Sequence, residues 1–266
     1  MELLKKERRC WIMYSEEINK ISNVAENKRD LLRNNRVGYL VSSALAGIYV
    51  GIGTILIFTL GGNLEAVNSS YVKLIMGLSF GIALSLVIMA GSELFTGNNM
   101  VMAIGTLNKK TTWKDALSIW GNSFAGNLIG SMLLALIFVN AGLAKGSVGK
   151  FILKTAETKM TLSPMELFLR GLLCNILVCL AVWCSLKMKE EAGKLIMIFW
   201  CLFAFISSGF EHSVANMTLF SIALFIPHGV GISVNGMAYN LIFVSLGNII
   251  GGALFVGAAY YKISKK

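Results

Sequence analysis

Charge is scarce in this chain. Only 14% of its 266 residues are Asp, Glu, Lys or Arg, against 55% hydrophobic residues, a balance that excludes an ordinary soluble domain. Acidic residues are the scarcer sign, 14 against 24 basic, leaving a net charge of +10. An excess of that sign can mark nucleic-acid binding, but here the basic residues flank long apolar runs, where membrane sidedness accounts for them. No nucleic-acid partner is expected. Proline occurs only at Pro164 and Pro227, neither after an asparagine, so the Asn-Pro-Ala box of water and glycerol channels is absent. The five cysteines are an odd set. Cys174, Cys179 and Cys184 are spread around a helix by their five-residue spacing, and with Cys201 they fall in apolar runs, which argues against disulfides and a metal site alike. Residues 1–36 are charged and lack the apolar core of a secretory signal. No phosphate cradle, nucleophile–base set or metal-ligand cluster is visible. No catalytic residue, metal or cofactor is expected, and the chain does not read as an enzyme.

The chain does hold six apolar segments of membrane-spanning length, near 37–60, 72–107, 115–139, 165–187, 195–226 and 236–261. An all-α membrane protein of six transmembrane helices follows, with both ends on one side. Eighteen Lys and Arg lie in the N-terminal segment, the 108–114 and 187–194 loops and the tail, whereas five lie on the opposite side. That bias puts both termini in the cytoplasm and the protein in the cell membrane. The expected organisation is a cytoplasmic N-terminal segment (1–36), a six-helix channel domain (37–262) and a short cytoplasmic tail (263–266). Tyr14, Ile18, Ile21 and Ala25 recur at helical spacing, predicting an amphipathic helix that lies on the membrane face or packs beneath the bundle.

Two polar interruptions break the second and fifth segments. Gly91-Ser-Glu93-Leu-Phe-Thr-Gly-Asn98 and Gly209-Phe-Glu211-His-Ser-Val-Ala-Asn216 share one pattern 118 residues apart, and breaks are expected near 91–99 and 209–216. Lipid satisfies no backbone polar group, so such interruptions belong where they line a cavity or are buried in protein. The spacing also repeats elsewhere. Gly126-Asn-Leu-Ile-Gly130 matches Gly247-Asn-Ile-Ile-Gly251 at an offset of 121, and Gly47-x-x-x-Gly51 is paired with Gly171-x-x-x-Asn175 at 124. Spans 1–3 and 4–6 are thus one unit used twice. Three crossings per unit force the second copy to enter from the opposite side, giving inverted repeats whose breaks meet near mid-membrane. Helix N-termini at the breaks offer partial positive charge suited to an anion or a polar solute. Glu93, Glu211, Asn98 and Asn216 are expected to brace the loops, the carboxylates by accepting backbone N–H bonds. His212, beside a repeated break, is a pathway candidate, whereas His228 reads as a surface loop residue.

At these residues the chain resembles the formate/nitrite transporter family. The resemblance rests on Glu93-Leu-Phe-Thr-Gly97, Gly209-Phe-Glu-His-Ser-Val-Ala-Asn-Met217 and Asn240-Leu-Ile-Phe-Val-Ser-Leu-Gly-Asn-Ile-Ile-Gly-Gly252, and extends over roughly 30–262. Within the family the chain looks most similar to the clostridial hydrosulfide channel branch. The resemblance implies an aquaporin-like protomer, a homopentamer in membrane lipid with one pore per protomer, and small monovalent anions as permeants: formate, nitrite or hydrosulfide, with hydrosulfide favoured. It also places Thr96, His212 and Asn240 at the pore site, Lys159 in the outer vestibule, and Phe80, Leu84, Leu94, Phe95 and Phe205 at apolar constrictions. The 227–236 connection is short, so loop gating is not carried over.

A bare anion in a dry constriction is costly, up to roughly tens of kcal/mol by idealised Born solvation. His212 can lower that cost by giving a proton to a weak-acid anion, since an unperturbed histidine titrates near pH 6.5. Thr96 and Asn240 can donate hydrogen bonds, and Lys159 can concentrate anions at the mouth. Two other classes compete: an alternating-access carrier of a larger organic solute, which inverted repeats also serve, and a sensory protein using its basic N-terminal segment. A pathway built wholly from the spans should conduct without residues 1–30.

Overall fold

The computed structural model describes residues 2–265, with side chains from Tyr14 to Lys265. Met1, Lys266 and the side chain of Cys10 lie outside the described residues. All regular structure among the described residues is helical. The first span is α2 (Arg36–Ala66), which follows α1 (Glu2–Asn34) across the single residue Asn35; the Asn35 side chain caps α2 by accepting from the Gly38 N–H. At 1.5 Å per residue its 31 residues reach about 46 Å, more than a hydrocarbon core requires. The second span runs as α3 (Val72–Ser79) and α4 (Gly81–Met89), stops, and restarts as α5 (Phe95–Leu107). The third is α6 (Trp113–Asn140), held at its start by a capping box between Thr112 and Asp115.

After α7 (Gly146–Thr161) the pattern recurs. Span four is α8 (Pro164–Lys187), opened by a Ser163–Glu166 capping box with proline in its first turn. Span five is α9 (Glu191–Ser207) and, after a break, α10 (Ser213–Phe225). Span six is α11 (Val234–Ile250), a π-helical stretch over Gly251–Ala258, and α12 (Ala259–Ser264). The breaks are shorter than the sequence suggests, residues 90–94 and 208–212, and Thr96 and Asn98 already lie in helix. Gly91 and Gly209 turn the chain at φ +76° and +73°, a left-handed conformation that costs glycine little.

The two halves are packed alike. A side chain at Gly130 would strike the Ala44 carbonyl, and one at Gly251 the Leu172 carbonyl, so α2 lies against α6 as α8 lies against α11. Ala44 and Leu172 are 128 residues apart, which corrects the pairing of Gly47 with Gly171 at 124. That slip is one helical turn, and a motif with four-residue spacing matches itself nearly as well a turn out of register. The short helices interlock the halves, with α5 packed against the π-helical stretch and α10 against α6.

Both termini lie on one face, where Tyr14 and Tyr260 approach to 6.0 Å between ring centres. Here α1 packs beneath the bundle, burying Ile18, Ile21 and Ala25, with Ala25 against Gly105 of α5. The α7 helix, on the opposite face, lies between the third and fourth apolar segments and carries four lysines, Lys150, Lys154 and Lys159 within it and Lys145 just before it. Its apolar side is narrow, Val148, Ile152, Ala156 and Met160 at four-residue spacing, and its lysines mask that stripe in composition. Replacing Gly130 or Gly251 by valine is expected to reduce the yield of folded protein after detergent extraction, while Gly121→Ala, with open space around it, leaves it unchanged. Fluorescence-detected size exclusion checks this, and folded Gly130→Val at wild-type yield would contradict the close-packing argument.

Candidate functional site

Stopping a helix inside a bilayer strands backbone groups, and one asparagine per half collects them. Asn127 of α6 accepts from the Phe95 N–H at 2.9 Å and donates to the Ser43 and Glu93 carbonyls at 2.7 and 2.9 Å. Asn248 of α11 accepts from the Ser213 N–H at 3.1 Å and donates to the Gly171 and Glu211 carbonyls at 2.7 and 3.1 Å. Each thus ties a restarting helix to the break before it and to the first span of its own half. The Glu93 and Glu211 N–H groups complete the arrangement by donating to the Ser42 and Arg170 carbonyls. These asparagines lie inside the repeated Gly-Asn-x-Ile-Gly segments, a sequence signal that was legible as packing but not as bracing.

The carboxylates brace side chains, which corrects the expectation that they hold backbone N–H groups. Glu211 accepts from Lys159 Nζ and Asn216 Nδ2, both at 2.7 Å. Glu93 accepts from Lys28 Nζ at 2.7 Å and Asn98 Nδ2 at 3.0 Å. Their backbone neighbours are already held by the asparagines, and a buried carboxylate requires a cation more than an amide. Lys28 was missed. It comes from α1, outside the repeat, so its partnership with Glu93 has no trace in local spacing. Lys28 thus brings α1 into the wall of the site beside the spans.

Three spaces line up between the faces. On the α7 side a cavity of about 560 Å³ is lined by Lys73, Lys159, Arg170, Glu65, Glu211 and His212 among others. On the termini side a cavity of about 300 Å³ includes Lys28, Glu93, Leu84 and Leu94 in its wall. Between them lies a gap of about 10 Å³, walled by Phe80, Leu84, Leu94, Leu202, Phe205 and His212 among others. A water needs roughly 10–15 Å³ and two or more polar partners, so this gap is dry. Phe205 stacks on the His212 ring at 5.9 Å and meets Phe80 edge-on at 5.6 Å.

His212 is the polar wall of the gap and also caps α10, its Nδ1 accepting from the Ala215 N–H at 3.1 Å. With Nδ1 used as an acceptor, the neutral ring carries its proton on Nε2, which faces Thr96 Oγ1 at 3.1 Å. Thr96, at the start of α5, is fully buried and stands behind His212, outside all three spaces. The N-termini of α5 and α10 thus meet at this pair, with their partial positive charge toward mid-membrane.

Two sequence-selected residues lie elsewhere. Phe95 turns away from the gap and packs edge-on against Phe124 at 5.3 Å, because its place in the first turn of α5 directs it toward α6. Asn240 is fully buried, accepting from Asn216 Nδ2 at 2.9 Å and donating to the Lys159 carbonyl at 2.9 Å, so its amide is committed to bracing. Among the described residues no cluster of His, Cys, Asp and Glu is arranged to hold a metal.

Residues 15–262 match the formate/nitrite transporter family. The chain belongs to that family. It is 44% identical over 255 residues to the nitrite transporter NirC of Escherichia coli (strain K12), covering 96% of this chain and 94% of that relative. Among solved structures it is similar to a channel described as an FNT family ion channel, with TM-score 0.90, 42% identity and 94% and 99% of the two chains covered. A pentameric formate channel with formate bound is similar at TM-score 0.77 and 30% identity, covering 86% of this chain and 98% of that one. The protein is thus a multi-pass membrane channel of the formate/nitrite transporter family and not an enzyme.

Asn127→Leu and Asn248→Leu each strand an N–H and two carbonyls and are expected to cost about 3 kcal/mol or more. Thermal unfolding in detergent measures this against Asn140→Leu, whose exposed amide bonds only within its own helix. Losses no larger than the control's would refute the bracing role.

Proposed function

We propose that this protein conducts small monovalent weak-acid anions through a central gap in each protomer of a homopentamer, with both termini in the cytoplasm. The observation that carries the reading is the dry gap walled by His212, Phe80, Leu84, Leu94 and Phe205 between two charged vestibules. Nitrite ranks first among permeants because NirC relatives are nitrite transporters. Formate and hydrosulfide remain in the same class, hydrosulfide being the permeant favoured by the motif resemblance. The pentamer is supported by the similar formate channel, and the orientation by the lysine and arginine bias.

The gap sets the chemistry. A bare anion there loses its hydration with little in return, so a permeant that arrives carrying a proton crosses far more readily. The sequence suggests His212 as the proton source. Its geometry favours a different role, because a proton on Nδ1 would face the Ala215 N–H donor to donor, and α10 would lose its cap. In our reading His212 stays neutral. Its Nε2–H, held toward Thr96 in the resting site, passes to the permeant as a hydrogen bond while Thr96 keeps the ring oriented. The permeant takes its proton from hydronium in the vestibule, leaving water, so that the protonated fraction follows the bulk pH. Thr96 is then a positioning residue, as are Asn240, Asn98 and Asn216.

Lys159 and Lys28 act within the vestibules. Each is paired to a glutamate, so each presents a dipole rather than a free charge, and the α7-side wall still holds three cations against two carboxylates. Lys28→Met leaves Glu93 as an uncompensated negative charge in the termini-side vestibule. Anion flux is expected to fall about tenfold or more, with partial recovery in Lys28→Met/Glu93→Gln. Proteoliposome flux measures both, and equal flux in the single variant and wild type would remove Lys28 from the pathway.

A flux panel of nitrite, formate, hydrosulfide and chloride at two pH values tests the reading as a whole. Weak-acid anions should pass faster at the lower pH and chloride should lag. His212→Asn is expected to lower flux yet preserve the pH dependence, which belongs to the permeant. A flattened pH response in that variant would restore His212 as the proton donor, and exclusion of every small anion with passage of a larger solute would favour alternating access.

A further inference from the structure

Away from the pathway, on the face that carries the termini, the end of α1 and the start of α2 run beside the start of α6 and leave a cleft of about 280 Å³ between them. One wall presents Arg29, Arg33 and Arg36, spaced so that they share a helical stripe across the short α1–α2 junction; the other presents Asp115, Ser118 and Asn122 of α6. The cleft's own wall therefore carries three guanidinium groups against one carboxylate. Much of Arg29 is committed: Nε donates to Asp30 at 2.8 Å, Nη2 to Glu26 at 3.3 Å and Nη1 to the Lys110 carbonyl at 2.9 Å. Arg33 spends one nitrogen on Asp115 at 2.6 Å, and that carboxylate is further held by Thr112. For Arg36 no hydrogen bond or ion pair is found among the described residues.

A guanidinium with five unused donors, sharing one cleft with two others, is suited to a tetrahedral oxyanion that accepts forked hydrogen bonds. The depth of the cleft decides the source of that oxyanion. It opens where α2 and α6 enter the membrane; further along these helices toward mid-membrane the exposed side chains are apolar, Val41 and Leu45 of α2 and Ile129 of α6, with exposed Val37, Leu117 and Trp113 at the level of the cleft. Phosphate above and an apolar surface below describe a phospholipid, and basic pockets between spans at the cytoplasmic face are suited to acidic head groups. The geometry points to this cleft as a site for one anionic phospholipid per protomer, its phosphate held by Arg36 and Arg33 and steadied by Ser118 and Asn122. The site is separate from the conduit and does not depend on which anion permeates.

The test uses the full-length protein, reconstituted in phosphatidylcholine with or without phosphatidylglycerol, then stripped in detergent and examined by native mass spectrometry. Wild type is expected to retain phosphatidylglycerol about tenfold over phosphatidylcholine, because both lipids carry the phosphodiester but the trimethylammonium of phosphatidylcholine is repelled by the guanidinium groups of the cleft. Arg36→Gln breaks no internal bond, so it should fold and conduct normally yet retain the two lipids alike. Ser118→Phe, which fills the cleft without changing its charge, should do the same. Undiminished preference in Arg36→Gln overturns the proposal. So does thermal stabilisation of lipid-free wild type, but not Arg36→Gln, by inorganic phosphate, which would make the ligand a soluble anion. A changed oligomeric mass in Arg36→Gln would instead mark the cleft as a contact between copies.

Discussion

A helix that stops halfway across a bilayer exposes amides and carbonyls to a solvent that cannot bond them, and every other feature of this protein's interior depends on how those groups are satisfied. Asn127 and Asn248 each take one N–H and two carbonyls, closing the break within its own half. With the backbone satisfied from the side, the restarting helices α5 and α10 can point their N-termini at each other in mid-membrane. The glutamates are then free to hold the lysines and asparagines that wall the vestibules. Remove the asparagine brace and neither the gap nor its polar wall has a fixed position.

Symmetry builds the frame and asymmetry makes the site. Glu93 corresponds to Glu211, Asn98 to Asn216 and Lys28 functionally to Lys159, so both vestibules meet the break with the same three groups. At the centre the correspondence fails chemically. Leu94 stands where the other half has His212, and Thr96 stands opposite Val214 in the repeat. The halves therefore contribute one polar group each, and the two meet at 3.1 Å, His212 in the wall of an otherwise apolar gap and Thr96 behind it. A second histidine in place of Leu94 would make the gap more polar, and a second leucine would leave it without a polar wall.

The proposed lipid cleft and the Lys28–Glu93 pair both draw on α1, a helix that crosses no membrane. Its apolar stripe of Ile18, Ile21 and Ala25 seats it beneath the bundle, and that docking carries Lys28 to the termini-side cavity and Arg29 and Arg33 to the cleft beside α6. A single amphipathic element thereby lines the termini-side cavity with one face and the proposed lipid cleft with another.

The sequence by itself determined the six spans, the two breaks and the doubling of a three-helix unit, because lipid demands long apolar runs and punishes polar interruptions, leaving marks visible along the chain. It also singled out His212, Thr96, Phe80, Leu84, Leu94 and Phe205, through motifs that match a known family. Four things were decided only in three dimensions. The register of the first spans follows close approach of helices, which a glycine spacing repeats at every turn. The helix α7 owes its place to a narrow apolar stripe hidden among lysines. The facing directions of Phe95 and Asn240 depend on which neighbour fills the space beside them. The pairing of Lys28 with Glu93 joins residues 65 apart in elements of different kinds, and no local pattern records such a contact, because it is enforced by docking and charge rather than by periodicity.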